Sequence, residues 1–512
     1  MLNEIANRHR GDLGGRLTDQ RVPARVVLAA SSEVAETAAG QHLIWMLLNL
    51  LARETVEIRQ IQLDIPRGIK LAASISPLVA GTDDFLAAVR IGVQRINPSV
   101  LSVPIAAASN SAVFIRVGPG PMMAADFSIA TTCNGWSGYV GIDSPGVLGM
   151  SHNPIGPYVA ACLCAGEVFK FVRGLRPDSG EFARNLWLDA ASLNISNHMP
   201  EFIDFPSEIA LPATILVGVG AVANAFLHVL YASSVIAGDI TAIDNDPEGI
   251  TRANLNRYML FGLPHISLPK ATTAAELFKG TRLRLTPIDD SWQDWISSRN
   301  GELADEIVVS AVDKNSARHA IQDALPLLIL GASTNEMRAQ LSLYDVIGGS
   351  ACLKCRNPID PQMSDEAIIE KLRALNQEEL ANRARDVSID YESLRRFLDD
   401  PLANCGKIGG ATLRKFASSN EPAEWSVGFV STMAGVLQAA EYIKIIIGNP
   451  APALSAQLNA FRFQFWRPAN ATTNTRFSIP ISPGCFCQNE VFRTCLESSR
   501  RPTRVIDGPT MR

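Results

Sequence analysis

A strand, turn and helix unit with two glycines at its turn constrains the fold of this chain more than any other feature. Residues 213–217 are apolar and rich in β-branched side chains, as in a buried strand. Gly218 and Gly220 follow, and the stretch from Asn224 to Ser233 predicts a helix. A second predicted strand, an apolar run from Ile240 that is ended by Asp244, completes a strand–helix–strand unit. Such units build parallel sheets, so the sequence predicts an α/β fold with a crevice at the carboxyl ends of its strands.

The glycine turn has the pattern of a phosphate-binding turn. Gly218 permits a tight turn, Gly220 lets backbone approach a phosphate, and Ala223 allows close helix packing. Asp244 follows the second strand, where an acidic side chain can hold a ribose hydroxyl. Glycine turns of this kind also occur for packing alone, so the turn by itself leaves both interpretations open.

Charged residues further along favour nucleotide binding. A metal-bound triphosphate needs fixed positive charge on one side and a carboxylate for the metal on the other. Arg257 and Lys270 can supply the first, and Asp313, which ends an apolar run starting at Ile307, can supply the second. The alternatives are solvated surface cations and, for Asp313, an N-cap of a helix that begins near Asn315.

Five short motifs follow one another in a fixed order between residues 218 and 313. They read Gly218-Val-Gly220, Asp244-Asn-Asp246, Ala253-Asn-Leu-Asn-Arg257, Pro269-Lys270 and Ala311-Val-Asp313. This order resembles the ubiquitin-activating and ThiF/MoeB-like adenylating enzymes, although Ala253 replaces the family's serine and the loop before Asn254 is longer. The resemblance implies that Asn254, Arg257 and Lys270 engage the phosphates of ATP and that Asp313 binds Mg²⁺. It leaves open whether Asp244 or Asp246 holds the ribose.

Four cysteines form two close pairs. The pairs are Cys352 with Cys355 and Cys485 with Cys487, and each can give two tetrahedral ligands to one zinc ion. Reduced buried thiols and a redox Cys-x-x-Cys motif are the alternatives. The resemblance implies a structural four-cysteine zinc site, and four thiolates leave no open position for water.

Cys405 lies in a glycine-rich stretch with Lys407 nearby, a setting that favours thiolate. An ordinary loop cysteine is the alternative. The resemblance implies a reactive cysteine before the helix predicted from Gly428 to Ile447, so Cys405 is the candidate thioester nucleophile. The remaining cysteines are predicted to be core or surface thiols: Cys133, Cys162, Cys164 and Cys495.

An internal repeat accounts for the first two hundred residues. Residues 167–174 and 441–448 share Glu, Lys and Gly at the same spacing. A predicted strand from Ala24 to Ala30, a helical stretch to Leu51 and a predicted strand at residues 56–64 repeat the strand–helix–strand order of residues 213–244. The first copy lacks the glycines, having Ala-Ala-Ser-Ser-Glu at residues 29–33, so we expect it to have lost nucleotide binding. Chance similarity is the alternative. With the resemblance, the repeat predicts an α/β fold of two tandem Rossmann-like adenylation-fold domains arranged as a pseudo-dimer.

The predicted domain plan divides the second copy around a charged helical segment at 364–399. The inactive adenylation-like domain spans 1–198, a proline-rich linker 199–211, the active adenylation domain 212–360 and 405–490, the helical insert or cysteine region 361–404, and a tail 491–512. The insert is either a surface excursion or a small cysteine domain that presents Cys405 to a partner.

Composition narrows the class of partner. The chain has 512 residues, 47% of them hydrophobic, and a net charge of −5, enough apolar content for two or three cores and no basic footprint for nucleic acid or an anionic membrane. Its first ten residues carry no apolar signal core. We therefore expect a cytoplasmic protein, in a reducing compartment that suits thiolate chemistry.

The resemblance implies ATP-dependent activation of the C-terminal carboxylate of a ubiquitin-like protein, then a thioester on Cys405 and transfer to a conjugating-enzyme-like protein. It also implies an arginine reaching in from the amino-terminal domain, for which Arg8, Arg10 and Arg16 are equal candidates. The absence of a further ubiquitin-fold module suggests a bacterial conjugation system of the kind linked to phage defence. A sulfur-carrier protein adenylyltransferase, a nicotinamide-dependent oxidoreductase and a non-catalytic scaffold are the alternatives.

Overall fold

The computed structural model describes residues 24–72, 74–79, 81–101, 112–146, 148, 151–175, 180–300, 303, 306–357, 365–386, 389–399, 408, 427–467 and 474–499. The chain divides into two compact units: residues 359–425 form one, and the rest of the chain forms the other.

The first sheet is built from residues 24–196, which we call the amino-terminal domain. Its seven strands are β1 Ala24–Ala30, β2 Ile58–Asp64, β3 Ala112–Val117, β4 Phe127–Asn134, β5 Ser137–Gly141, β6 Asn185–Asp189 and β7 Asn194–Ser196. Their spatial order is β2-β1-β3-β4-β5-β6-β7. The pairs among β2, β1, β3 and β4 are parallel, and the later pairs are antiparallel. The helices are α1 Ser32–Ala35, α2 Ala38–Leu51, α3 Phe85–Ile96 and α4 Ile155–Val172.

The second sheet is built from residues 209–477, which we call the second domain. Its strands are β8 Ile209–Ala210, β9 Thr214–Val217, β10 Ile236–Ile243, β11 Leu283–Ile288, β12 Ile307–Ser310, β13 Leu328–Asn335, β14 Arg338–Tyr344, β15 Ala460–Gln464 and β16 Thr475–Phe477. The main path runs β11-β10-β9-β12-β13-β14-β15-β16, with β8 beside β10. Its helices, with those that follow the sheet, are α5 Ala221–Ala232, α6 Lys270–Leu277, α7 Trp292–Ser298, α8 Asn315–Asp323, α9 Leu353–Arg356, α13 Gly428–Ile447 and α14 Glu490–Ser499.

The two sheets share one strand plan. In the second sheet, β10, β9, β12 and β13 pair in parallel, and β13 to β16 pair antiparallel, as β2, β1, β3, β4 and then β4 to β7 do in the first. A long buried helix precedes the sixth strand of this plan in both sheets, α4 before β6 and α13 before β15. The structure thus confirms an α/β fold with two mixed sheets.

The helices α4 and α13 lie side by side between the two sheets. Phe169 of α4 and Phe429 of α13 contact each other with ring centroids 5.4 Å apart. Gly435 lets α13 pack directly on α5, because a Cβ there would lie 2.2 Å from the Val222 carbonyl oxygen. Both α4 and α13 are long and apolar enough to cross a membrane, yet 94% and 83% of their apolar windows are buried inside the fold. That extent of burial is typical of core helices in a folded domain.

The unit formed by residues 359–425 contains three short amphipathic helices. They are α10 Asp365–Arg373, α11 Gln377–Asp386 and α12 Tyr391–Asp399. Their apolar faces and Ile408 form a separate small core, whose helical members are Ile368, Leu372, Leu380, Ala384, Leu394, Phe397 and Leu398. The helical spacing of apolar residues in this segment therefore produces the predicted helices.

Most predicted elements form close to their expected bounds. Strand β1 spans Ala24–Ala30 and helix α13 spans Gly428–Ile447, both as predicted. Helix α5 begins at Ala221, three residues before the predicted start, because Gly220 is its N-cap. The predicted linker 199–211 contains β8, which adds to the second sheet. Arg8, Arg10, Arg16 and Cys405 lie outside the described residues.

Candidate functional site

The glycine turn lies at the carboxyl end of β9, between the ends of β10 and β12. Gly218 has φ +85°, and a Cβ there would lie 3.1 Å from the Ala311 carbonyl oxygen, so a side chain would be both strained and crowded. Gly220 is different, since a Cβ there would meet no heavy atom within 4 Å. The amino end of α5, which follows Gly220, therefore faces open space, as an anion-binding helix terminus requires.

Asp244, directly after β10, holds this turn. Its Oδ2 accepts a hydrogen bond from the Val219 backbone N–H at 2.7 Å, and its Oδ1 accepts from the Asp246 N–H at 3.1 Å. Asp246 instead pairs with Lys270, whose Nζ lies 2.5 Å from Asp246 Oδ2 and 3.9 Å from Asp244 Oδ1. The Asp246 side chain is 37% exposed and that of Asp244 only 10%. Asp244 is thus the better-ordered carboxylate at the turn.

Lys270 is a buried cation at the start of α6. Burial lowers its pKa, but the interactions with Tyr258, Asp244 and Asp246 outweigh burial and leave the pKa above its ordinary value. The lysine therefore stays charged at neutral pH. A fixed positive charge is what a phosphate site needs.

Arg257 and Lys270, predicted to act together, share one aromatic neighbour. The Arg257 guanidinium carbon lies 6.0 Å from the Tyr258 ring centroid, and Lys270 Nζ lies 5.8 Å from the same ring. Tyr258 is buried. The ring therefore orients both cations by cation–π contact.

Asn254 is buried and caps its own short 3₁₀ helix, Arg252–Asn254. Its Oδ1 accepts hydrogen bonds from the Thr251 N–H at 3.0 Å and the Thr251 hydroxyl at 2.9 Å. This carboxamide oxygen thus fixes the loop that leads to Arg257.

Asp313 lies on the opposite side of the turn. Its loop begins beside β9, where the Ala311 N–H donates to the Val217 carbonyl oxygen at 2.9 Å. The Asp313 side chain is exposed, and among the described residues none forms a hydrogen bond or ion pair with its carboxylate. The N-cap of α8 is Lys314 and has no side-chain capping bond, so the N-cap interpretation of Asp313 is wrong. The carboxylate is thus open to a cation.

The loop that carries Asp313 is anchored from below by Arg318. Its guanidinium donates to the Val312 carbonyl oxygen at 2.9 Å, to Asn315 Oδ1 at 2.7 Å and to Asn357 Oδ1 at 3.2 Å. Arg318 therefore fixes the backbone immediately before Asp313.

Sequence reasoning missed Asn224, a buried residue of α5. Its Nδ2 donates to the carbonyl oxygens of Val219 at 3.1 Å and Gly220 at 2.9 Å, and its Oδ1 accepts from the Leu260 N–H at 3.3 Å. Asn224 thus joins the glycine turn to the segment after Arg257. A polar residue directly after the glycine turn, at the start of a mainly apolar helix, is the signal that could have found it.

The four paired cysteines meet in space. Their Sγ atoms all lie within 4.8 Å of one another. Cys352 and Cys355 are 3.7 Å apart, Cys352 and Cys485 3.5 Å, and Cys355 and Cys487 3.4 Å. Tetrahedral zinc with Zn–S bonds of about 2.3 Å separates its sulfurs by about 3.8 Å. The cluster could therefore hold zinc.

The other described cysteines match the prediction. Cys133, Cys162 and Cys164 are buried, and burial raises the pKa of each thiol, which makes them unreactive. Cys495 is exposed.

A glycine turn, a buried lysine and an exposed carboxylate at the ends of parallel strands are features of Rossmann-like α/β proteins. The sequence profile of the ThiF family matches residues 209–479, more than half of the chain, and the chain belongs to this family. The profile of the BilD N-terminal domain matches residues 25–189. The protein is thus a ThiF-family adenylating enzyme, of the type that adenylates a protein or peptide C-terminus with ATP.

The chain is similar to several proteins at low sequence identity. The chain is 25% identical over 514 residues to "Uncharacterized protein y4jF" of Sinorhizobium fredii (strain NBRC 101917 / NGR234), covering 94% of this chain and 92% of that one. A crystal structure of E. coli MccB with ATP is 19% identical, with a TM-score of 0.35 over 54% of this chain and 66% of that chain. The microcin C7 biosynthetic enzyme MccB in complex with N-formylated MccA is 20% identical, with a TM-score of 0.36 over 54% and 67%.

Proposed function

We propose that this protein activates the C-terminal carboxylate of a ubiquitin-like protein by ATP-dependent adenylation, carries it as a thioester on Cys405 and passes it to a conjugating-enzyme-like partner. One observation carries the adenylation step: at the ends of β9, β10 and β12 the fold collects the Gly218–Gly220 turn, the Lys270 cation and the open Asp313 carboxylate. These are the groups that a metal-bound triphosphate needs.

Different residues of the site would bind the ribose and the phosphates of ATP. Asp244, which holds the Val219 N–H, is the better candidate for the ribose hydroxyls, because Asp246 is engaged by Lys270 at 2.5 Å. Lys270 and Arg257, both beside the Tyr258 ring, would bind the phosphates.

The site fits a magnesium ion at Asp313, an exposed carboxylate with no partner among the described residues. Mg²⁺ bound there would neutralise charge on the phosphates. Four thiolates fit zinc at the Cys352 cluster, and they leave no position for substrate, so that metal would be structural.

In the first step a carboxylate oxygen of the ubiquitin-like protein attacks the α-phosphorus of ATP, and the bond to the β-phosphate oxygen breaks to release pyrophosphate. Lys270 and Arg257 stabilise the charge that develops on the phosphates. In the second step the Cys405 thiolate attacks the acyl carbon, and AMP leaves with its oxygen. The role of Cys405 rests on the family resemblance, and it suits a reducing, cytoplasmic location.

The amino-terminal domain is, in this proposal, an inactive adenylation-fold domain in tandem with the active one. Support comes from the shared strand plan of the two sheets. In the first sheet, Val34 of α1 is buried and packs against Gly118 after β3, where a Cβ would lie 2.5 Å from its side chain. The BilD N-terminal match supports a bacterial ubiquitin-like conjugation system.

A trapping experiment tests the proposal. Purified protein is incubated with MgATP and a panel of ubiquitin-like proteins that end in exposed glycine, and the products are separated without reducing agent. We expect a thiol-sensitive adduct with wild type, its loss in Cys405→Ala and Asp313→Ala, and its retention in Cys495→Ala, which changes an exposed cysteine elsewhere in the chain.

Pyrophosphate exchange on the same samples separates the two steps. Cys405→Ala should keep exchange, and Asp313→Ala should lose it. Exchange by wild type without any adduct would favour a sulfur-carrier protein adenylyltransferase. Tight binding of NADH without pyrophosphate exchange would favour an oxidoreductase. A protein that shows neither NADH binding nor pyrophosphate exchange would favour a non-catalytic scaffold.

A further inference from the structure

Two polar side chains of the amino-terminal domain grip the loop that carries Arg257. Asn49 belongs to α2, and Arg53 follows that helix closely. The Arg53 guanidinium donates to the carbonyl oxygens of Leu255 at 2.5 Å and Phe261 at 2.8 Å. Asn49 Nδ2 donates to the Met259 carbonyl oxygen at 3.0 Å. Three backbone carbonyls that bracket Arg257 and Tyr258 are thus bound from the other domain.

The two gripping residues also hold each other. Arg53 Nε donates to Asn49 Oδ1 at 2.8 Å, and this hydrogen bond helps to orient both side chains toward the loop. Asn49 is fully buried and Arg53 is 2% exposed. All the donors therefore act where water does not compete for the carbonyls.

Burying Arg53 in this contact between the two domains has a cost in desolvation free energy. Burial lowers the pKa of Arg53, and among the described residues no carboxylate pairs with its guanidinium. A buried cation without an anion costs several kcal/mol of desolvation, and an apolar contact would join the domains at lower cost. The planar guanidinium of Arg53 has several N–H donors, so it can bond the Leu255 and Phe261 carbonyl oxygens at the same time. The arrangement therefore favours fixing the loop over simple adhesion.

We infer that Asn49 and Arg53 are positioning residues of the nucleotide site, through which the amino-terminal domain sets the loop from Leu255 to Phe261. The inference rests on the proposed adenylation function. The loop carries Arg257 and Tyr258, and Tyr258 in turn contacts Lys270, so a shift of this backbone displaces both phosphate-binding cations. The inactive domain is then a required part of the active site within one chain.

Nucleotide affinity tests the inference on the full-length protein. The dissociation constants of MgATP and AMP are measured by titration calorimetry for wild type, Arg53→Met, Arg53→Lys and Asn49→Ala. AMP lacks the two outer phosphates, so it depends less on Arg257 and Lys270. We expect Arg53→Met to raise the dissociation constant of MgATP by about tenfold or more and that of AMP much less. The effects of Arg53→Lys and Asn49→Ala should lie between those of Arg53→Met and wild type. A general loss of folding would weaken the binding of both nucleotides to a similar extent.

A second contact between the domains provides the matched control. Lys444 Nζ of α13 donates to the carbonyl oxygens of Ala190 at 3.0 Å and Ala191 at 2.7 Å, and Lys444 is paired with Glu441. The double variant Glu441→Gln with Lys444→Met removes this contact without leaving a lone charge. We expect it to keep the wild-type ratio of the two dissociation constants.

The outcomes are separable. A reduced preference for MgATP in the control double variant would mean that domain contact in general matters, and would overturn the inference. So would Arg53 and Asn49 variants that keep the wild-type preference. If Arg53→Met does not fold, Arg53→Lys and Asn49→Ala carry the same expectation. Wild-type protein that binds neither nucleotide would overturn the proposed function and this inference together, whereas failure of the variants alone leaves the proposed function standing.

Discussion

Lys444 Nζ lies 2.7 Å from Glu441 Oε2, and neither side chain is exposed to solvent. The amino-terminal domain repeats the pair, with Lys170 Nζ 2.8 Å from Glu167 Oε1 on the equivalent helix. In both copies the glutamate also accepts a backbone N–H and the lysine donates to backbone carbonyls. The sequence repeat is therefore a buried Glu–Lys pair near the end of the long helix of each domain.

Removing one charge of the buried Glu441–Lys444 pair should destabilise the protein strongly. Lys444→Met leaves the Glu441 carboxylate buried and unpaired, and we expect a loss of about 3–5 kcal/mol in the free energy of unfolding. The double variant Glu441→Gln with Lys444→Met leaves no charge and should recover most of that loss. Thermal unfolding followed by circular dichroism measures both. Equal melting temperatures for the single and double variants would contradict a net cost from the lone carboxylate.

The sequence predicted those parts of the fold that depend on local pattern. Strand β1 and helix α13 could be bounded because apolar periodicity changes sharply at Ala30 and at Gly448. The start of α5 was placed too late, at Asn224, because the small residues after Gly220 carry little periodicity of their own. The meeting of the Cys352–Cys355 pair with the Cys485–Cys487 pair was expected from the family resemblance, and the structure brings the four Sγ atoms within 4.8 Å of one another.

The motifs named the residues of the candidate site, and the structure places Lys270 beside Asp244, but the residues that support them could not be named from the sequence. Asp244 and Lys270 stand in recognisable motifs. Asn49 and Arg53 act on carbonyls about two hundred residues away in sequence, and nothing local distinguishes them from other polar residues of a helix end. Such contacts follow from the packing of the two domains, which the sequence pattern does not encode.

The two aspartates after β10 should differ in their effect on ATP use. Asp244→Ala removes the acceptor of the Val219 N–H and loosens the glycine turn, so we expect a loss of about 100-fold in pyrophosphate exchange. Asp246→Ala removes a half-exposed partner of Lys270, which keeps Asp244 at 3.9 Å, so the loss should be tenfold or less. Exchange rates with saturating ubiquitin-like substrate measure both. A larger effect at Asp246 would assign the ribose to that residue instead.

Glu54 should make stability depend on pH. Burial, and then the neighbouring Glu57 carboxylate, raise the pKa of Glu54 well above its ordinary value of 4.5. The folded protein therefore holds this proton more tightly than the unfolded chain does, and the stabilisation is complete below about pH 4.5 and is lost as pH rises through the folded pKa. We expect Glu54→Gln to stabilise the protein by about 1 kcal/mol or more at pH 8 relative to pH 5.

Glu57→Gln is the matched control for Glu54. Glu57 Oε1 lies 3.5 Å from the Arg173 guanidinium, so neutralising Glu57 removes an ion-pair interaction of a buried cation. This variant should be less stable than wild type at pH 5 and at pH 8. Stabilisation by Glu57→Gln at pH 8, or none by Glu54→Gln, would show that the proton resides elsewhere in this cluster.

Zinc should bind the four-cysteine cluster and stabilise the fold without taking part in catalysis. The cluster packs on Val346, Ile481 and Phe486, close to the last segment of the second domain. Burial raises the pKa of Cys352, and it raises that of Cys487 to about 12, so these two thiols would be protonated without a cation. At Cys355 burial is outweighed by hydrogen bonds, first the one from the Ser482 N–H, which lower the pKa of that thiol. We expect one zinc per chain by elemental analysis, and a lower melting temperature after chelation.

Variants distinguish a structural from a catalytic metal. Cys355→Ser and Cys485→Ser should lose zinc and several degrees of thermal stability, while Cys495→Ser, outside the cluster, should change neither. Below their lowered melting temperatures, the zinc-free variants should keep pyrophosphate exchange, because four sulfur ligands offer no position for substrate. Loss of exchange in well-folded zinc-free protein would mean that the cluster also shapes the nucleotide crevice, and its role would then extend beyond stability.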